Sequence, residues 1–199
     1  MFTMRLHSMF RAAAVAVTTA LALVAAPTAH AEAAPTLPAF VPYPSAWTPD
    51  YSLFPYNLWQ IRVTPEQVAA QRDACQWFNA QYGDLAGQVH GFENFLAGAG
   101  DDWSAPGVQQ TADVVTANLK QSAAFLDPRV HTLYITNYPD QSQYSPLYNG
   151  DSFYHLWYQY TQIADKIGQE LPSGQIHANV VTADVYGNVI RESGICNGA

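Results

Sequence analysis

Basic residues are scarce in this chain, whose 199 residues include eight lysines and arginines against 16 aspartates and glutamates. Loss of residues 1–31, which are predicted below to be cleaved, removes Arg5 and Arg11 and leaves a formal net charge of −10. Nucleic acid and anionic membranes repel so acidic a chain unless its cations cluster. The remaining cations are scattered, so we expect no nucleic-acid partner: Arg62, Arg72, Lys120, Arg129, Lys166 and Arg191.

Cysteine is also rare, with Cys75 and Cys196 the two in the sequence. This count excludes a disulfide-rich scaffold, and the spacing is unlike the Cys-x-x-Cys pattern of redox proteins. Two cysteines in an exported protein usually pair, so we predict a structural disulfide between Cys75 and Cys196. The histidines of the chain show no His-x-His or His-x-x-x-His spacing. We therefore predict no metal site and no cofactor.

A long apolar run occurs at residues 12–26, and it is too short to span a bilayer as a helix, which needs about 20 residues. Arg5 and Arg11 flank its start, and Ala29-His30-Ala31 follows as a small-x-small cleavage site. This pattern predicts a signal peptide over residues 1–31 and a mature chain without a transmembrane segment. The product would be secreted or held at the cell envelope, and the alanine-rich leader is typical of a bacterium.

Prolines and aromatic residues dominate residues 32–59, where prolines stand among Phe40, Tyr43 and Trp47. Such proline density excludes a helix or a central strand, but the apolar content exceeds that of a disordered linker. We predict an extended arm over 32–59 that packs on a single domain, 60–199. The alternative is that the arm is a segment offered to another protein.

Three helices are predicted in the first part of the domain. Thr64 is the expected N-cap of the first, Gln67 closes a capping box, and Gly83 is the expected stop. A second helix is predicted from Asp84, and a third from about Ser104 to the Asp127-Pro128 break. A further helix, with Asp151 as its expected N-cap, is predicted to run to about Leu171.

Two segments favour strands. Residues 130–136 are rich in β-branched residues, which predicts a short strand. Residues 176–192 alternate around Gly187-Asn188, which is typical of a β-hairpin with a tight turn. The predicted fold is therefore α+β, mainly helical with about four helices, a small antiparallel sheet that includes the C-terminal hairpin, and one disulfide.

Aromatic residues are densest at residues 144–160, and they cannot all face one core. Their polar-tipped rings suit a half-buried wall, a sugar-stacking platform or a protein interface. The alternative is that the arm covers them. The candidate ligand-binding residues are Tyr144, Tyr148, Tyr154, Trp157 and Tyr158.

Residues with catalytic potential are few. His90 and Glu93 share a helix face at i, i+3, and His155 is the third candidate. Asp101-Asp102 follows a glycine-rich turn and would bind Ca²⁺ only with further oxygen ligands. The sequence favours a non-enzymatic exported binding or envelope-associated domain, whose partner is an envelope component, an apolar or glycan ligand, or a protein. The alternatives are a small secreted hydrolase and a structural protein with no small ligand.

Overall fold

A computed structural model describes residues 35–50, 63–134 and 149–199, and in this part of the chain all the regular structure is helical. The predicted α+β class, with its antiparallel sheet and C-terminal hairpin, is therefore wrong. The elements are α1 (Pro65–Trp77), a π-helical turn (Phe78–Tyr82), α2 (Gly83–Gly98), α3 (Val108–Leu133), α4 (Gly150–Gly168) and α5 (Ser173–Ser193). No helix within the described ranges is long and apolar enough to cross a membrane.

The helices form a four-membered bundle in which α1, the π turn and α2 make one continuous rod. This first rod packs on α3, α3 packs on α4, α4 packs on α5, and α5 returns to α2. The apolar side chains of all four rods meet in one buried core. The loop of 169–172 between α4 and α5 is so short that these two helices must be antiparallel.

The start of the first rod is as predicted. Thr64 caps α1: its hydroxyl accepts the Gln67 backbone N–H, and the Gln67 side chain accepts the Thr64 N–H at 2.9 Å. The expected stop at Gly83 is wrong, because the chain stays helical there through the π turn. The Phe78 and Tyr82 rings, stacked at 4.4 Å within this turn, are both buried.

The predicted break at Asp127-Pro128 and the strand after it are also wrong within the described residues. α3 continues through Pro128 to Leu133. Proline removes one helix hydrogen bond, but Leu126, Val130 and Leu133 form a stripe at i+4 and i+7, and each is fully buried. This apolar stripe keeps the last turns of α3 against the rest of the protein.

The segment predicted as a hairpin is α5, a helix of 21 residues. Its buried face is Ile176, Val180, Ala183, Gly187 and Ile190, which follow the helical period. Gly187 is required for its size: a Cβ there would lie 1.8 Å from the Tyr82 hydroxyl oxygen. Asp151 is likewise not an N-cap, because α4 begins after Asn149 and Asp151 lies in its first turn.

The predicted disulfide between Cys75 and Cys196 is confirmed, with a Cα–Cα distance of 4.9 Å. It joins α1 to the short tail after α5, and Asn79 donates a further hydrogen bond to the Cys196 carbonyl at 2.9 Å. The tail also binds the arm, since the Trp47 indole N–H donates to the Asn197 carbonyl and the Tyr43 hydroxyl donates to that of Ala199. The disulfide thus holds the C-terminal tail in place, and Tyr43 and Trp47 of the arm bind to this tail.

Candidate functional site

Six ring side chains come together where the end of α3, the first turns of α4 and the middle of α5 meet. We call them the aromatic-imidazole cluster: His131, Tyr134, Tyr154, His155, Trp157 and Tyr186. His131 is exposed and the other five are half-buried. The cluster is therefore a surface feature rather than part of the core.

Stacked rings organise the cluster. Tyr134 and Tyr154 lie parallel with centroids 4.0 Å apart, and His155 stacks on Tyr186 at 4.7 Å. His155 also makes T-shaped contacts with both tyrosines, with ring centroids 5.8 Å from Tyr134 and 5.6 Å from Tyr154. Contacts of this kind each contribute about 0.5–1.5 kcal/mol beyond area burial. They hold α3, α4 and α5 together at this end of the bundle.

His131 closes the other side of the cluster. Its ring makes T-shaped contacts with Trp157 and Tyr154, with centroid distances of 5.0 Å and 5.6 Å. Its Nδ1 lies 2.8 Å from the backbone carbonyl of Asp127. A carbonyl only accepts hydrogen bonds, so Nδ1 of His131 is the donor in this contact.

An exposed apolar stripe lies beside the cluster on α5. We call it the valine stripe: Val181, Val185 and Val189, which are 45%, 54% and 38% exposed. Tyr186 is next to Val185 and stands three residues before Val189, so helix geometry makes the stripe and the cluster adjacent. Tyr158 of α4, 44% exposed, follows the cluster residue His155 by one helical turn. Helix geometry thus places exposed apolar side chains of α4 and α5 beside the cluster, and we refer to them together as the apolar surface.

Three of the five predicted binding residues belong to this surface: Tyr154, Trp157 and Tyr158. Tyr144 and Tyr148 lie outside the described residues. Residues 35–47 of the arm hydrogen-bond elsewhere, to the first rod, α3 and the C-terminal tail. These bonds give no support to the alternative in which the arm covers the aromatic side chains of α4.

The three catalytic candidates each have a different partner. Glu93 pairs with Nδ1 of His177 at 2.6 Å, His90 pairs with Asp184 at 3.0 Å, and His155 stacks on Tyr186. The first two pairs both join α2 to α5, and each helix supplies one histidine and one carboxylate. No hydrogen bond among the described residues joins the candidates into one catalytic set.

The acidic turn after α2 has a structural role. Asp101 accepts the Ser173 backbone N–H at 2.8 Å, at the start of α5, and hydrogen bonds from Ser173 lower the pKa of Asp101. Asp102 accepts the hydroxyl of Ser104 at 2.6 Å and its backbone N–H, and these bonds lower the pKa of Asp102. In the described ranges, no group of three or more His, Cys, Asp or Glu side chains is placed to hold a metal ion.

A separate cavity of about 230 Å³ lies between α3 and the end of α4. Its lining mixes charges of both signs, from Asp113, Lys120 and Glu170, and Gln109 donates a 2.7 Å hydrogen bond to Glu170 beside it. None of its lining residues belongs to the cluster or to the valine stripe. The cavity therefore offers a polar surface for comparison with the apolar one.

Comparisons with models of protein families, with curated proteins and with solved structures find no match to this chain. Any function must therefore be argued from the surface itself.

Three cluster residues were missed in the sequence analysis: His131, Tyr134 and Tyr186. The first two stood in a segment assigned to a strand, and Tyr186 stood in the assigned hairpin turn. With helices in both places, Tyr186 lies one turn after Thr182 and one turn before Val189, on the flank of the valine stripe. A helical assignment of α5 would have placed Tyr186 beside the stripe, but its contact with His155 depends on the fold.

Proposed function

We propose that this is an exported, non-enzymatic binding protein that holds a protein partner against the aromatic-imidazole cluster and the valine stripe. Export rests on the predicted signal peptide over 1–31, and the disulfide is a bond typical of oxidising compartments. The observation that carries the proposal is the apolar surface: six packed rings, with three exposed valines of α5 and the exposed Tyr158 of α4 at neighbouring helix positions. Contiguous exposed apolar surfaces of this kind mark interaction sites.

Binding fits the chemistry of the cluster better than catalysis. The face of His155 is stacked on Tyr186, and Nδ1 of His131 is bonded to the Asp127 carbonyl. General acid-base chemistry needs a titratable group within hydrogen-bond reach of a second reacting group. The carboxylates Glu93 and Asp184 are instead paired with His177 and His90 between α2 and α5.

A protein partner fits this surface better than a glycan. Sugars stack on open ring faces, whereas Tyr134 and Tyr154 cover one face of each other and Tyr186 covers a face of His155. The valine stripe adds aliphatic side chains, which pack against other side chains rather than against a sugar ring. Tyrosine and tryptophan are enriched at the centres of protein interfaces. The negative charge of the chain favours a partner with a neutral or basic rim.

The test is site-specific photo-crosslinking of the full-length protein in the cells that export it. In the test variant a benzophenone amino acid replaces Tyr158, which is exposed beside the cluster. In the matched control it replaces Asp113, which lines the polar cavity. We expect one discrete protein adduct from position 158 and none from position 113. The adduct should fall at least tenfold when Val185→Ser and Val189→Ser are added, because these substitutions remove apolar side chains from the proposed contact surface. Both valines are exposed, so their replacement leaves the core unchanged. Equal adducts from both positions, or an adduct that the valine substitutions do not change, would contradict the proposal.

A further inference from the structure

The described arm, residues 35–50, is bound by a row of amide side chains. We call these side chains the amide groove: Gln76, Gln81 and Gln88 of the first rod, with Asn118 and Gln121 of α3. All five donate to main-chain carbonyls of the arm, at Pro35, Leu37, Pro38 and Tyr43, over distances of 2.7–3.2 Å. The groove therefore binds the backbone of an extended chain.

Two of these amides bind both donor and acceptor groups of the arm. Gln76 accepts the Tyr43 N–H at 3.2 Å and donates to the Tyr43 carbonyl at 3.1 Å. Asn118 accepts the Leu37 N–H at 3.0 Å and donates to the Pro35 carbonyl at 3.0 Å. Paired bonds of this kind fix the direction and register of the bound strand, as the edge of a sheet does for an added strand.

The amides are buried beneath the arm. Gln76 and Asn118 are each 1% exposed and Gln81 is 6% exposed. A buried amide is costly unless its hydrogen bonds are made. Five of the six described hydrogen bonds of these three side chains are with the arm, so the arm both covers these amides and satisfies most of their polar atoms; Oε1 of Gln81 has no partner among the described residues.

Few side chains of the arm contribute to this binding. Leu37 is buried, and Phe40 packs edge-on against Phe125 with centroids 5.0 Å apart. In contrast, Val41 is 75% exposed and Tyr43 is 49% exposed. Between residues 35 and 41 the arm is thus bound by an apolar side chain, an aromatic one three positions later, and its main chain. Farther along, the Tyr43 hydroxyl and the Trp47 indole N–H donate to the C-terminal tail.

We infer that the amide groove is a peptide-binding site that is filled in cis by the arm, and that it takes the arm of a second copy in trans. The bonds are the same in both cases, because they involve only the groove and residues 35–43. Residues 51–62 separate the arm from α1, and twelve residues can extend over roughly 40 Å. The connection is long enough for the arm to leave its own groove and enter another. The inference does not depend on the function proposed for the aromatic-imidazole cluster.

Binding of the arm to its own groove competes with binding to the groove of a second copy, and this competition determines the protein concentration at which exchange occurs. A segment that is tethered to its own site binds there intramolecularly, at an effective concentration set by the length of the connection. The closed monomer therefore dominates in dilute solution, and an arm-exchanged dimer forms at high local concentration. A variant whose own arm is weakened should accept a free arm peptide at much lower concentration.

The first experiment uses the full chain with Leu37→Asp, which places a charge where the buried anchor lies. A fluorescent peptide of residues 35–50 with the natural sequence is titrated and followed by anisotropy. We expect saturable binding, at least tenfold weaker when Gln76→Leu and Asn118→Leu are added and unchanged by Gln109→Leu, an exposed amide on the same helix α3. Circular dichroism checks that each host is folded. No binding to the folded Leu37→Asp host, or equal binding to the groove variant, would overturn the inference.

The second experiment needs no variant of the groove. Unlabelled and heavy-isotope copies of the natural chain are mixed near millimolar concentration, diluted, and examined at once by native mass spectrometry. We expect mixed dimers that disappear with excess arm peptide. Their absence, or their persistence in excess peptide, would overturn exchange between copies.

Discussion

Gly187→Ala should destabilise the protein, although alanine is the better helix former. Gly187 lies in the middle of α5, where exchange for alanine alone would stabilise the helix by about 1 kcal/mol. The added Cβ, however, would lie 1.8 Å from the Tyr82 hydroxyl oxygen and 2.2 Å from the ring carbon that bears it. Tyr82 has little room to move, because it is 3% exposed and stacked on Phe78.

Overpacking of this kind typically costs about 1–3 kcal/mol, and the overlap here places Gly187→Ala at the upper end. Subtraction of the helix gain leaves a net loss of roughly 2 kcal/mol, which is about 4–8 °C in Tm for a chain of this size. The assay is thermal and urea unfolding followed by circular dichroism. The Tyr82→Leu background, which removes the ring, should make the penalty at position 187 smaller.

Two glycines of α2 are the matched controls. A Cβ at Gly87 or Gly91 would meet nothing within 4 Å, and both positions are exposed. Gly87→Ala and Gly91→Ala should therefore stabilise by about 0.5–1 kcal/mol. Opposite signs for the same substitution would support the close contact between α5 and Tyr82. A Gly187→Ala variant as stable as the two controls would refute it.

Three further predictions concern stability. Cys75→Ser should lower the free energy of unfolding by about 2–5 kcal/mol in a urea titration, because the bond to Cys196 closes a loop of 121 residues. Asp101→Asn should lower Tm at neutral pH but not in acid. Hydrogen bonds from Ser173 lower the pKa of Asp101 in the folded protein. The stability that the carboxylate contributes is therefore present above its ordinary pKa and is lost as pH falls below about 4. Tyr160→Phe should keep or raise Tm, because the hydroxyl of Tyr160 is buried with no hydrogen-bond partner among the described residues. Burial also raises the pKa of Tyr160, so the natural protein should lose stability above about pH 10 and the phenylalanine variant should lose less.

Each of these predictions has a result that would contradict it. An unchanged unfolding midpoint for Cys75→Ser would exclude the structural role of the disulfide. A Tm difference between Asp101→Asn and the natural protein that stays constant from pH 7 to pH 3 would exclude the carboxylate as its source. A large loss of stability in Tyr160→Phe at neutral pH would mean that the hydroxyl is satisfied by a group such as a buried water.

Local signals in the sequence identified the elements whose determinants are short-range. The capping box of Thr64 and Gln67 lies within four residues, and the pairing of Cys75 with Cys196 follows from the cysteine count. The helix end predicted at Pro128 is wrong because the burial of Val130 and Leu133 outweighs one lost helix hydrogen bond. That burial depends on neighbouring helices and is not visible in the local sequence.

The assignment of α5 failed for a related reason. Ile176, Ala178, Val180 and Thr182 stand at every second position, which is typical of a strand, and Gly187-Asn188 is typical of a hairpin turn. The helical stripe of Ile176, Val180, Ala183 and Ile190 was present but was interrupted by a glycine that only the contact with Tyr82 explains. The same error hid Tyr186 from the candidate site, whereas Tyr154 and Trp157 were apparent from local aromatic density.

The most direct test of the proposed binding function is native mass spectrometry of the natural protein purified from the medium or envelope of its producing cells. The account predicts a defined protein complex that separates on denaturation, and its loss in the Val185→Ser, Val189→Ser variant purified in the same way. A bare chain from the natural protein, or a complex that survives both valine substitutions, would contradict the claim that this apolar surface holds a protein partner.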